Sequence, residues 1–164
     1  MNDSNVLLEE SVFAQLQRYV EKGLLLHGSR ITSINVLKAG KRPICATNVP
    51  AIAMMYAIRP DETFLQISDG EIWTVENPGS QDFRIRATKG FMKKAGPGSV
   101  YVVEPGQFHN GKNSFEFVAF SPVKPVARID VVPSDLPYKI DRLSRRLRDY
   151  YRSELVRQSA ILPW

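Results

Sequence analysis

The chain has 164 residues, 43% hydrophobic and 24% charged, with a formal net charge of +5; this composition suits a single domain spanning residues 1–164. With Cys45 as its only cysteine and His27 and His109 as its only histidines, the chain has no intramolecular disulfide and too few ligands for most metal sites, so no metal is expected. No apolar run approaches the ~20 residues of a membrane-spanning helix, and Met1 to Asn5 lack the pattern of a secretory signal, which favours a cytoplasmic protein with no membrane partner.

The first predicted element is a helix from Val6 to Lys22. Leu8, Val12, Leu16 and Tyr19 recur at helical spacing, Asp3 or Ser4 supplies a cap, and Gly23 a stop. Leu24-Leu25-Leu26 is a short apolar run consistent with a buried strand, ending at His27-Gly28-Ser29-Arg30. Gly40-Lys41-Arg42-Pro43 breaks the chain before a second strand at Ile44-Cys45-Ala46, where Cys45 is expected as a small buried residue. Thr47 or Asn48 then caps a helix with Pro50 in its first turn, which runs through Tyr56 and Ala57 and stops at Arg59-Pro60.

Strand signals dominate from Thr63 onward. Phe64 to Ile67, Glu71 to Val75, Phe83 to Arg86, Ser99 to Val103, Ser114 to Phe120 and Val126 to Val132 are strand-like, separated by turns rich in Gly, Pro, Asp and Asn. Asn110-Gly111 is a hairpin signal, and His109 before it is expected in a loop. Within the strand at 114–120, alternation puts Phe115 and Phe117 on one face and Glu116 on the other. A basic C-terminal helix follows the break at 133–137, with Ile140, Leu143, Leu147, Tyr150 or Tyr151, and Leu155 along one side. Residues 138–159 hold seven basic and three acidic residues, which leaves the rest of the chain nearly neutral. Such a face is either a solvated helix surface or a docking site for an anionic partner. The order of helix, strand, helix, many strands and helix argues for α+β rather than a doubly wound sheet.

The chain contains no phosphate-binding G-x-x-x-x-G-K-[ST] loop, no G-x-G-x-x-G, no H-E-x-x-H and no G-x-S-x-G. His27 stands out: it ends an apolar strand and is followed at once by glycine, as suits a backbone approaching a ligand closely. Leu24 to Arg30 resembles the first NAD-binding motif of the ADP-ribosyltransferase superfamily, in its poly(ADP-ribose) polymerase and diphtheria-toxin branch. The strand at 44–46 leading into the helix that carries Tyr56 is similar to the second motif of that branch. Glu116, early in a late strand, is similar to its third. The three follow in the family's order, over roughly Leu24 to Val132.

The resemblance implies an ADP-ribosyltransferase-like split β-sheet core, flanked by the N-terminal helix and the basic C-terminal one. It implies that the chain takes NAD as substrate. His27 would hydrogen-bond the adenosine ribose, Gly28 would present backbone groups to the nicotinamide amide, Ser29 would lie close to the ligand, and Tyr56 would stack on the nicotinamide ring. Glu116 would be the catalytic residue. Cleavage of the nicotinamide–ribose bond passes through an oxocarbenium-like state that a carboxylate stabilises. Two positions depart from the pattern. Ala53 stands where that branch carries a small hydroxyl residue, and no second stacking aromatic is evident, Tyr101 and Phe108 being candidates without motif support. The short chain has no long acceptor loop, so the expected activity is mono-ADP-ribosylation or NAD glycohydrolysis. The acceptor (protein, nucleic acid or small molecule) is not legible. An RNA 2′-phosphotransferase-like enzyme and a catalytically inactive binding module of the same fold are the alternatives.

Overall fold

The computed structural model describes residues 9–60, 67–68, 71–137 and 139–161. The expected cap at Asp3 or Ser4, the apolar position Leu8 and the strand residues Phe64 to Gln66 lie outside the described residues, as do the side chains of Leu155 and Arg157. The described part is mixed α and β, with four helices and two sheets, in agreement with the α+β expectation.

Helix α1 spans Val12–Glu21, starting later than the periodicity suggests, because the Ser11 hydroxyl accepts a hydrogen bond from the amide of Ala14 and caps it there. Gly23, at a φ of 85°, turns the chain after α1. Strand β1 covers Leu25–Ser29, so His27 and Gly28 lie within the strand and not in a loop beyond it. Strand β2 is Ile44–Thr47. Helix α2 is Pro50–Ile58 with Pro50 in its first turn. Its cap residue is Val49, and neither Thr47 nor Asn48 occupies that position; the Thr47 hydroxyl instead accepts from the Val49 amide, shaping the entry turn.

Strand β3 (Ile67–Ser68), β4 (Glu71–Glu76) and β5 (Arg84–Ala87) follow, then a short helix α3 (Lys89–Lys94) that sequence periodicity did not single out. Strand β6 is Gly98–Val103, β7 is His109–Asn110, β8 is Glu116–Ala119 and β9 is Ala127–Val131. His109 is thus a strand residue of the β7–β8 hairpin, paired with Val118. Strand β10 is Asp141–Arg142, and helix α4 is Arg145–Ile161. Ile140 and Leu143 therefore precede the basic helix; Ser144 accepts from the Leu147 amide at its start.

The larger sheet has the order β7-β8-β2-β1-β6-β9 and the smaller β10-β5-β4-β3. Strand β6 is buried along its whole length, and both faces of the larger sheet are covered. On one face, Leu26, Val100 and Val102 pack with Leu16 of α1 and with α2. On the other, Leu25, Ile44, Tyr101 and Val103 pack with Leu37 and Val123, whose segments are joined by paired backbone hydrogen bonds. Helix α2 is apolar all round and buried at every residue but Tyr56, as befits a helix with no solvent face.

Two glycines seat α2. A Cβ on Gly28 would lie 2.0 Å from the Ala53 carbonyl oxygen, and one on Gly98 would lie 1.8 Å from that of Ala57. Backbone thus meets backbone where any side chain would intervene. The smallness of Gly28 therefore has a packing cause, besides the closeness to a ligand that its sequence context suggests.

Candidate functional site

Strands β1 and β2 are neighbours that pair at one position only, Leu26 opposite Thr47. Beyond it they part, and the ring of His27 spans the gap, with Nδ1 2.6 Å from the carbonyl oxygen of Cys45. A carbonyl only accepts, so Nδ1 carries the proton of the neutral ring and Nε2 is left as an acceptor. Burial lowers the His27 pKa below its ordinary value, the Cys45 carbonyl opposes this, and the nearby Arg59 guanidinium lowers it further. The ring is therefore neutral near pH 7.

A cleft of about 660 Å³ opens beside this gap, between the two sheets. The larger sheet contributes His27 and Gly28 from β1, Cys45 to Thr47 from β2, and Glu116 from β8. Helix α2 contributes Ala53 and Tyr56, and the smaller sheet contributes Thr74 and Val75 from β4. Helix α4 adds Tyr150, Tyr151 and Glu154. His27, Tyr56 and Glu116, far apart in sequence, thus line one cleft.

Tyr56 is the half-exposed residue of an otherwise buried helix. Its ring meets the buried indole of Trp73 edge to face, with centroids 5.0 Å apart at 84°, and the Arg59 guanidinium lies 5.7 Å from its centroid. Burial, with Cys45 and Glu116 close by, pushes the phenol above its ordinary range, so it stays neutral.

Glu116 opens β8, opposite Thr47. Gly111 makes room for it: a Cβ there would lie 2.8 Å from the Glu116 Cγ, and the Gly111 amide donates to the Glu116 carbonyl at 2.7 Å. Partial burial raises the pKa of the carboxyl, and Lys112 in the same loop opposes the rise. Phe115 precedes the strand and packs with the α2 side of the core, while Phe117 packs on the opposite side. The expected pairing of the two phenylalanines on one face is therefore not realised, because the chain turns before Glu116.

Cys45 is exposed rather than buried. Its thiol is pushed up to about 11, chiefly by local desolvation and then by Glu116, with Arg42 opposing; it is a protonated thiol and a poor nucleophile. The Ser29 hydroxyl accepts from the Ile31 amide and faces a second groove of about 500 Å³ that shares His27, Gly28, Arg42, Pro43 and Arg59 with the first. Lys38 and Lys41 line that second groove, and no acidic residue does among the described residues. The two hollows are thus lobes on either side of His27, with the buried Arg59 common to both.

Neither Tyr101 nor Phe108 lines the lobe that holds Tyr56. Tyr101 is wholly buried, its hydroxyl donating to the Ile31 carbonyl and accepting from the Ile34 amide. Among the described residues, the further aromatics of that lobe are Phe115, Tyr150 and Tyr151; sequence reading missed the two tyrosines because α4 joins the cleft only in three dimensions. Among the described residues, no group of three or more His, Cys, Asp or Glu side chains could hold a metal ion, and no helix is long and apolar enough to cross a membrane. No family model, curated protein or solved structure matches the chain.

Proposed function

We propose that this chain is an ADP-ribosyltransferase-type enzyme that cleaves the nicotinamide–ribose bond of NAD and transfers ADP-ribose to water or to an acceptor. The observation that carries the reading is the convergence of His27, Tyr56 and Glu116, from β1, α2 and β8, on one cleft. The order of these residues and the gap between β1 and β2 suit the split-sheet core that the sequence resemblance implies.

In this reading the two lobes share the dinucleotide. Nicotinamide riboside enters the lobe of Tyr56 and Glu116, and adenosine the lobe of Ser29, Lys38 and Lys41. The pyrophosphate lies near Arg59 and Arg42, which border both lobes. Neutral His27 accepts a ribose hydroxyl at Nε2, its Nδ1 proton being held by Cys45. Tyr56 offers an apolar face to the nicotinamide ring, and Gly28 offers backbone. As the glycosidic bond lengthens, positive charge grows on the ribose, and the Glu116 carboxylate stabilises it. Nicotinamide leaves as a neutral molecule. Ala53 has no hydroxyl for the carboxamide, so Gly28 and Tyr56 carry more of that recognition.

The test is nicotinamide release from NAD by wild type and Glu116→Gln. Release by the wild type and its loss in the variant support the enzyme; NAD binding without release supports a catalytically inactive module. A second reading keeps the NAD chemistry and adds an RNA acceptor, as in RNA 2′-phosphotransferase-like enzymes. It is favoured by α4, whose exposed Arg145, Arg146 and Arg152 continue from the residues that border the cleft.

A further inference from the structure

We propose that the groove of Lys38 and Lys41 recognises a 2′-phosphate on the adenosine ribose, so that the dinucleotide this chain prefers is the 2′-phosphorylated one, NADP. The inference rests on the NAD-cleaving reading above and names its substrate more closely. It starts from the charge of the second groove. Lys38, Lys41, Arg42 and Arg59 line it, with no acidic residue among its described lining. Arg42 and Arg59 border both lobes, where the pyrophosphate lies in that reading. Lys38 and Lys41 line the adenosine lobe alone, so the pyrophosphate leaves them without an anion. Among the described residues, neither lysine has a hydrogen-bond or ion-pair partner.

The segment between β1 and β2 that carries both lysines is tied to the fold. The buried Tyr101 hydroxyl donates to the Ile31 carbonyl and accepts from the Ile34 amide. Leu37 is buried and exchanges two backbone hydrogen bonds with Val123. The Gly40 amide donates to the Arg42 carbonyl and closes a turn. Lys38 therefore follows a pinned residue, and Lys41 sits inside the closed turn. Both stems start from fixed backbone at the groove, which lowers the ordering cost of meeting an anion there. Ile34, Val36, Pro43 and Ile44 give the same groove apolar walls, which suit a flat base beside the charged group.

A ribose diol and a ribose phosphate ask for different partners. A free 2′-hydroxyl donates, and a carboxylate is its usual acceptor; a 2′-phosphate carries roughly two negative charges and asks for cations. The described lining of this groove offers the cations and no carboxylate. Lysine suits the task as a compact point charge at the end of a long stem. His27 fits the same ligand. Its Nε2 acceptor, fixed by the bond from Nδ1 to Cys45, receives the 3′-hydroxyl, which a 2′-phosphate leaves free.

The experiment has a binding arm and a turnover arm, both on the full chain. Calorimetry compares adenosine 2′,5′-bisphosphate with adenosine 3′,5′-bisphosphate and adenosine 5′-phosphate, and nicotinamide release is measured from NADP and from NAD. The 2′,5′-bisphosphate should bind about tenfold or more tightly than the 5′-phosphate, the scale of one charge-assisted hydrogen bond. It should also bind more tightly than the 3′,5′-bisphosphate, and kcat/KM should be higher for NADP than for NAD. Lys38→Gln combined with Lys41→Gln should bring these ratios close to one, and Lys38→Arg with Lys41→Arg should keep them. Release from NAD without any preference for the 2′-phosphorylated ligands overturns the proposal and leaves the NAD-cleaving reading standing. Preferences that survive both Gln substitutions also overturn it. A binding preference for the 2′,5′-bisphosphate with release from neither dinucleotide overturns the NAD-cleaving reading and keeps the 2′-phosphate site. Neither preference nor release overturns both.

Discussion

The imidazole Nδ1 of His27 donates to the carbonyl oxygen of Cys45 at 2.6 Å, across the point where β1 and β2 separate. The bond sets the tautomer of the ring, and burial disfavours its protonation. The folded chain therefore resists a proton that the unfolded chain takes up. Stability from this source is constant above the unfolded value of about 6.5 and falls as pH drops below it toward the folded value. Chemical denaturation at about pH 7 and about pH 5 should show a loss in the wild type that is smaller in His27→Gln. Equal losses would show that the burial of His27 does not contribute to this titration.

Glu116→Gln should lower nicotinamide release by ~10²-fold with little change in NAD affinity, the scale of removing one electrostatic stabiliser. Because burial raises the carboxyl pKa, wild-type turnover should rise with pH through a limb lying above the ordinary carboxylate range. Lys112 opposes that rise, so Lys112→Met should move the limb to still higher pH. A limb that Lys112→Met leaves in place would remove Glu116 from the rate-limiting ionisation.

The same raised pKa has a consequence for stability. A carboxyl that binds its proton more tightly when folded stabilises at low pH and loses that contribution as pH rises through the folded value. Glu116→Gln should therefore be more stable than wild type near neutrality, and the gap should close on acidification. Thermal melts across this range test the sign; a variant less stable than wild type at neutral pH would contradict it.

Tyr56→Ala should weaken NAD binding about tenfold, since an aromatic contact contributes roughly 1 kcal/mol beyond its buried area. Turnover at saturating NAD should fall less than in Glu116→Gln. The edge contact with Trp73 offers a direct readout. In a Trp164→Phe background, NAD should change the Trp73 fluorescence, and Tyr56→Ala should remove most of that change.

Binding of single-stranded RNA to the α4 surface should weaken steeply with salt. Replacing Arg145, Arg146 and Arg152 by Gln should reduce the slope of log affinity against log salt by about two if each meets a phosphate. No binding at low ionic strength would leave these arginines as a solvated helix face.

Much of the fold is legible from local signals. The runs at 24–26 and 99–103 announce buried strands, Pro50 announces the start of α2, and Gly23 the stop after α1. The misjudged positions involve interactions that no window of sequence contains. Ser11 caps α1 where Asp3 or Ser4 was expected to, and Asp141–Arg142 leaves the basic helix to pair in parallel with β5. Cys45 sits in an apolar run but on a strand that has parted from its neighbour, which leaves it exposed. At the site, His27, Tyr56 and Glu116 were legible by resemblance. Arg59, buried between the two lobes, and the α4 residues were not, because a helix-ending arginine and a surface tyrosine pair look the same in sequence wherever the chain carries them.

The seating of α2 on Gly28 and Gly98 reaches beyond packing. The approach of α2, and with it the position of Tyr56, depends on two missing side chains on adjacent strands. Apolar residues around the helix can be exchanged for others of similar volume while the aromatic ring stays where it is. The two glycines admit no such exchange: alanine at either should force the helix outward, at a cost of about 3 kcal/mol or more. A saturation library would therefore show broad tolerance across the apolar surroundings of α2, interrupted by two nearly invariant positions.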